Sequence, residues 1–170
     1  CQLEPRHAAD GGEMMGSVEE RLAATEVLVP DAPRPAGSYV PYVVSRGYVY
    51  VSGQTCRVHG QVAYQGRVGR ELSLEEGKLA ARICAINLLS QLKAACGGDL
   101  DRVARCVRLG GFVSSDETFT QQPEVLNGAS DVILAAFGDS GRHARTAVGV
   151  AVLPSNSAVE VDAVFELLDR

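Results

Sequence analysis

Between His143 and Asp162 the chain has little freedom to be anything but β structure. From Arg145 to Leu153 one alternate set is Thr146, Val148, Val150 and Val152, β-branched residues that suit a strand face packed on a core. The interleaved set, Arg145, Ala147, Gly149, Ala151 and Leu153, is small except at its ends, and small side chains let a second backbone or a ligand come close. Pro154-Ser155-Asn156-Ser157 has turn chemistry. Beyond it Val159, Val161, Ala163 and Phe165 alternate with Glu160, Asp162 and Glu166. Pairing Leu153 with Ala158 closes a hairpin whose two core faces agree. In that register Ala151 lies opposite Glu160, and Arg145 opposite Glu166. Arg145 and Glu160 then share the non-core face but stand roughly six residues, about 20 Å, apart along the ribbon. One chain does not bring both to a small ligand; two chains could.

The preceding segments supply the rest of a domain. Residues Cys1 to Gly16 are mixed, Gly-containing and aperiodic, which predicts a flexible N-terminal extension to a single domain over residues 17–170. Ser17-Val-Glu-Glu20 is a capping box that opens a short helix to about Thr25. Val27-Leu28-Val29 has the composition of a brief strand, and three prolines between Pro30 and Gly37 make that stretch a loop. Tyr39 to Ser52 predicts two strands around Ser45-Arg46-Gly47, with a further short strand at Gln61–Tyr64. Arg57, His59, Arg67 and Arg70 between them describe either a cationic cover for an anion or a solvated loop.

A second capping box, Ser73-Leu-Glu-Glu76, opens the longest helix. Leu79, Ile83, Ile86, Leu89 and Leu92 follow at helical spacing as a core stripe, and Gly97-Gly98 end it. Asp101 to Ser114 reads as a strand with a bend or bulge expected at Gly110-Gly111. Pro123 suits the first turn of another helix, whose apolar face holds Val125, Ala129, Val132, Ile133, Ala136 and Phe137, with Gly138 closing it. The order hairpin, helix, strand, helix, hairpin predicts an α+β two-layer fold, a mixed sheet with two helices on one face. Its other face would be covered by copies of itself.

Composition narrows function. A chain of 170 residues with 46% hydrophobic content forms one core. No run of about 18 apolar residues is present, so no membrane span is expected. A net charge of −5, 5% aromatic residues and no tryptophan make nucleic acid a poor partner, although a local basic patch is compatible with that charge. Cys1, Cys56, Cys84, Cys96 and Cys106 are scattered without metal-like spacing, which suits reduced, buried thiols in a cytoplasmic protein. His7, His59 and His143 lack ligand spacing as well, so no metal site is expected. Neither a Gly-x-Ser-x-Gly elbow nor a Gly-rich phosphate loop occurs.

Among single residues, Arg145 offers a planar fork for a carboxylate, or an ion pair with Glu166 opposite it. Glu160, on a strand that is otherwise apolar, is either a partly buried carboxylate able to orient water or a solvated edge residue. Gly53 would let a ligand approach backbone. Tyr39 and Asn127 by themselves read as packing or capping residues.

The string Ala144-Arg-Thr-Ala-Val-Gly-Val-Ala-Val-Leu-Pro154 followed by Val159-Glu-Val-Asp162 resembles the signature of the RidA/YjgF family, whose members also carry the name L-PSP endoribonuclease. Ser52-Gly53-Gln54, Gly37-Ser38-Tyr39 and Asn127 fit the same family pattern, and the resemblance runs from about Pro35 to Leu168. It implies a chorismate-mutase-like fold and a homotrimer with ligand clefts between subunits. It further implies an enamine/imine deaminase that hydrolyses 2-aminoacrylate-type 2-imino acids to 2-oxo acids and ammonia without a cofactor. Arg145 would anchor the carboxylate and Glu160 help to place the water, with Tyr39, Gly53, Asn127 and Ala147 binding substrate. Many members have cysteine where this chain has Ala147, so only backbone groups are available there. The chain resembles the longer branch of the family. Two other readings stand beside this one: a trimeric small-carboxylate binding protein without turnover, and an endoribonuclease.

Overall fold

The computed structural model describes residues 17–33 and 38–169; the expected extension over residues 1–16, with Cys1, and the Gly37 part of the motif lie outside them. Ser17 caps helix α1 (Val18–Ala24), its hydroxyl accepting from the Glu20 amide while the Glu20 carboxylate accepts from the Ser17 amide. Val27 to Val29 is irregular rather than a strand, although Val27 is buried. Strands β1 (Tyr42–Ser45) and β2 (Tyr48–Thr55) form a hairpin around Arg46 and Gly47, both at positive φ. A two-residue pair follows, β3 (Arg57–Val58) with β4 (Gln61–Val62), so the short strand expected at Gln61–Tyr64 ends earlier.

Helix α2 (Leu74–Ala95) begins at the Ser73 capping box, and the chain turns out of it through Gly97 and Gly98 at positive φ. After a 3-10 turn, β5 (Val103–Ser114) leads to α3 (Gln122–Phe137), a second such turn at Gly138–Gly141, β6 (Ala144–Val150), a third at Pro154–Asn156 and β7 (Val159–Leu167). The five-stranded sheet has the order β1-β2-β7-β5-β6 and is mixed, since β6 runs parallel to β5 and the other pairs are antiparallel. Helices α2 and α3 cover one face, as expected, and the short α1 packs beside α3.

Three expectations change. First, β6 and β7 do not form a hairpin. A strand, a crossover helix and a second strand bring β6 parallel alongside β5 through α3, so β7 takes the other edge of β5. Residues 151–158 therefore span the end of β5. Alternation identifies strands, but it does not choose their partners. Arg145 consequently pairs with Leu109 rather than Glu166, and Glu160 pairs with Phe112 and Thr55.

Second, the faces of β6 are inverted. Leu109 is buried beneath the helices, and it shares its row with Arg145. A side chain at Gly111, beside Ala147, would collide with Leu126 of α3. Arg145, Ala147 and Gly149 thus face the helices, while Thr146 and Val148 lie on the open face. That open face also carries exposed apolar residues, Val43, Tyr50 and Val148, which is why valine content misassigned it.

Third, the buried stripe of α2 is built of Ala80, Ala81, Cys84, Ala85, Leu88, Leu89 and Leu92, whereas Leu79 is exposed and Ile83 and Ile86 are half-buried. Small residues let the two long helices cross closely: a side chain at Gly128 of α3 would strike the Lys78 carbonyl. The β5 bulges fall between Val103 and Arg108, before the glycines. Gly110 and Gly111 are needed for space, since a Cβ at Gly110 would meet Asp162 on the open face. Cys56, Cys84, Cys96 and Cys106 are buried free thiols. No helix among the described residues is long and apolar enough to cross a membrane.

Candidate functional site

Arg145 projects from the edge strand β6 towards the first turns of α3. Its Nη1 donates to Asn127 Oδ1 at 2.9 Å and Ser130 Oγ at 3.0 Å, and its Nη2 donates to the Pro123 carbonyl at 3.1 Å. All three acceptors are neutral. Among the described residues no carboxylate pairs with this guanidinium, so the alternative reading, an ion pair with Glu166, is absent. Glu166 instead pairs across the sheet with Tyr48 and Arg105, and its carboxylate accepts from the Tyr48 hydroxyl. Three of five guanidinium donors are occupied and two remain. A cation fixed by dipoles alone is prepared for an anion.

Ser130 extends this cluster. The Ser130 hydroxyl accepts from Arg145, and in the neutral imidazole it donates to His143 Nε2, 3.0 Å away. That leaves His143 Nδ1 protonated and donating to the Gly141 carbonyl at 2.6 Å. Burial, and then the Arg145 charge, hold His143 below its ordinary pKa, with the Gly141 bond acting the other way. The unfolded chain therefore takes up this proton first as pH falls. The stability advantage of wild type over His143→Gln is expected in full above about pH 6.5 and to shrink below it. Thermal midpoints of both proteins across that range check this. A difference that stays constant with pH would remove His143 from the linkage.

Glu160 occupies the opposite face of the sheet. It lies two strands away from β6 and three residues along, roughly 14 Å from Arg145 in the sheet. Its carboxylate rests against Gly53, where any Cβ would collide with Oε1. A bulge in β2 between Val51 and Gln54 makes this approach possible. Burial, reinforced by the neighbouring Asp162 carboxylate, raises the Glu160 pKa. Asp162 is itself held by Arg108, at 2.9 Å. Gly53 and Tyr39 both line a cleft of about 860 Å³ that also reaches α2 and the β3–β4 turn.

The six expected residues thus divide into two patches. Arg145, Asn127 and Ala147 lie along β6 and α3, with Ala147 half-buried against the core. Tyr39, Gly53 and Glu160 lie around the β2 bulge. That one chain does not bring Arg145 and Glu160 together holds, though on a different geometry from the expected hairpin. Ser130 was missed, yet it stands three residues after Asn127 on a helix, and that spacing puts both on one face. Arg57, Arg67 and Arg70 do not form one cationic cover: Arg57 is held by the Gly60 carbonyl and Ser155, while Arg67 and Arg70 flank Glu71. Among the described residues no three His, Cys, Asp or Glu side chains could hold a metal ion.

Comparison with known proteins places these patches in context. A family model described as "YjgF/chorismate_mutase-like, putative endoribonuclease" matches residues 19–167. The chain is 49% identical to protein TCP17 of Trypanosoma cruzi over 153 residues, covering 89% of this chain and 95% of that one. The crystal structure of Atu1372 from Agrobacterium tumefaciens, a protein of unknown function, superposes with a TM-score of 0.84 at 43% identity, covering 89% of this chain and 92% of its own. A structure from Shewanella oneidensis described as a "putative endoribonuclease" gives a TM-score of 0.85 at 35% identity, covering 89% of this chain and all of the other.

Proposed function

This chain belongs to the YjgF/chorismate mutase-like family, and from that premise we propose that it hydrolyses reactive 2-aminoacrylate-type 2-imino acids to 2-oxo acids and ammonia. The observation that carries the reading is Arg145, a guanidinium held in place by Asn127, Ser130 and the Pro123 carbonyl with no carboxylate beside it among the described residues. Its two unused donors suit the substrate carboxylate. Water adds to C2 of the imine, the nitrogen takes up a proton, and the carbinolamine collapses to the 2-oxo acid and ammonia. Glu160, whose raised pKa makes proton exchange easier near neutrality, orients that water and moves its proton. Gly53 lets the Glu160 carboxylate lie directly against backbone, where any side chain would displace it. The chemistry asked of the protein is orientation and proton transfer, and no cofactor enters it.

The working site in this reading is shared. The exposed apolar face carrying Val43, Tyr50 and Val148 is covered by neighbouring copies in a homotrimer. Arg145 of one copy then meets Glu160, Gly53 and Tyr39 of the next. The proposed setting is the cytoplasm, where buried unpaired thiols persist.

Ammonia and 2-oxobutanoate released in equal amounts from freshly generated 2-iminobutanoate, above the rate in buffer, are the expected result. Binding of 2-oxobutanoate without ammonia release would make the chain a small-carboxylate binding protein. RNA cleavage that disappears in Arg145→Ala would instead favour the nuclease in the family description.

A further inference from the structure

The cleft beside Gly53 is far larger than a four-carbon acid requires. At about 860 Å³ it falls in the range that holds drug-sized ligands, roughly 300–1,000 Å³. Leu28, Pro30 and Tyr39 form one wall, and Ile83 and Ile86 of α2 form part of another. These isoleucines were expected in the core, and the cleft is the reason they are only half-buried. Asn87 and Gln91 continue the same stripe along the helix, at the spacing that keeps residues on one face.

Those two amides behave differently. Asn87 Nδ2 donates to the Thr55 and Arg57 carbonyls, both at 3.0 Å, and so pins the end of β2 to the helix. Gln91 lies one turn, about 6 Å, further along α2. It is 3% exposed and lines the cleft. Its amide is not among the sealed, unpartnered side-chain atoms of the described residues, which are Ser90 Oγ and Ser114 Oγ, so the amide is the part of Gln91 that opens to the cleft. An amide on a cleft wall can exchange water for the polar end of a ligand. It offers both donors and an acceptor but no charge, so an ionised group brought to it would be buried without a counter-charge.

We propose that this cleft is the side-chain pocket of the imine site and selects a large 2-imino acid, one whose apolar stem ends in an uncharged hydrogen-bonding group read by Gln91. The inference rests on the function proposed above, because it takes C2 of the substrate to lie at Gly53 and Glu160. Gln91 acts as a specificity residue and makes no contact with the reacting carbon.

The test compares 4-hydroxyphenylpyruvate, phenylpyruvate and 2-oxobutanoate by calorimetric titration, and ammonia release from the corresponding imino acids. Both aromatic acids should bind at least about tenfold more tightly than 2-oxobutanoate, and the hydroxyl should add about tenfold over phenylpyruvate. Gln91→Leu should bring the ratio between the two aromatic acids to about one. Ile86→Trp should lower both aromatic acids relative to 2-oxobutanoate by about tenfold or more, and Ile83→Phe reads the same effect should the tryptophan variant not fold. Equal affinity for all three acids overturns the proposal. So does a hydroxyl preference that survives in Gln91→Leu, which would leave ordered water as the partner of Gln91. Failure of the underlying function looks different: no ammonia from any imino acid while the binding order stands. Ammonia released as fast from the smallest imine as from the largest, with no binding order, keeps the activity and removes the pocket.

Discussion

Arg145→Ala is expected to lower 2-imino acid hydrolysis, or 2-oxo acid affinity, by roughly a hundredfold or more while the chain remains folded. The size of the effect follows from what the guanidinium lacks. Its acceptors among the described residues are two side-chain oxygens and a carbonyl, so the substrate carboxylate would supply the ionic partner they do not. Folding survives because Asn127 and the Pro123 region are exposed and can turn to water; Ser130 retains His143. Arg145→Lys separates charge from shape. A lysine keeps the charge but cannot hold the three helix acceptors and a carboxylate in one plane, so it should recover only a small part of the loss. Titration with 2-oxobutanoate, beside circular dichroism of each variant, measures both quantities. Undiminished binding in a folded Arg145→Ala protein would place the anion elsewhere.

Mixing two inactive chains should restore activity. Arg145→Ala and Glu160→Ala each spoil every cleft of their own homotrimer if a cleft takes one residue from each of two neighbours. Co-refolded in equal amounts, they assemble at random, and about a quarter of clefts receive an intact Arg145 from one chain and an intact Glu160 from the next. Recovery of about a quarter of wild-type activity is therefore expected against nearly none in either parent. The opposite faces of the sheet on which these residues lie make within-chain repair impossible. Mixed trimers, verified by mass, that show no activity above the parents would end the shared-site reading for this pair.

Much of the fold was legible in the sequence because it is encoded locally. Capping boxes at Ser17 and Ser73, glycines at positive φ after α2 and α3, and the Arg46-Gly47 turn each fix a boundary through a few neighbouring atoms. The partners of β6 and β7 were not legible, because pairing depends on β5, whose turn to occupy the middle is written nowhere in the 143–162 stretch. Face assignment failed for a related reason. Val148 looks the same to a helix layer as to a neighbouring chain, and an apolar residue does not say which will cover it. Arg145 and Asn127 were found through the family pattern and meet in the structure. Gln91 could not be found that way: on a core-like helix its value lies in the cleft that it lines, which only three dimensions reveal.

The order β1-β2-β7-β5-β6 puts the final strand at the centre of the sheet. Until β7 arrives, β1–β2 and β5–β6 are two separate ribbons with no backbone bond between them. Both present bare edges, and the core valines of β2 and β5 face one another across a gap one strand wide. A ribosome making this chain in sequence must therefore export nearly all of the domain before the sheet can close. Waiting ribbons of this kind are open to pairing with other molecules, so for this protein the hazardous interval is synthesis itself, and it ends when Val159–Leu167 slides into place.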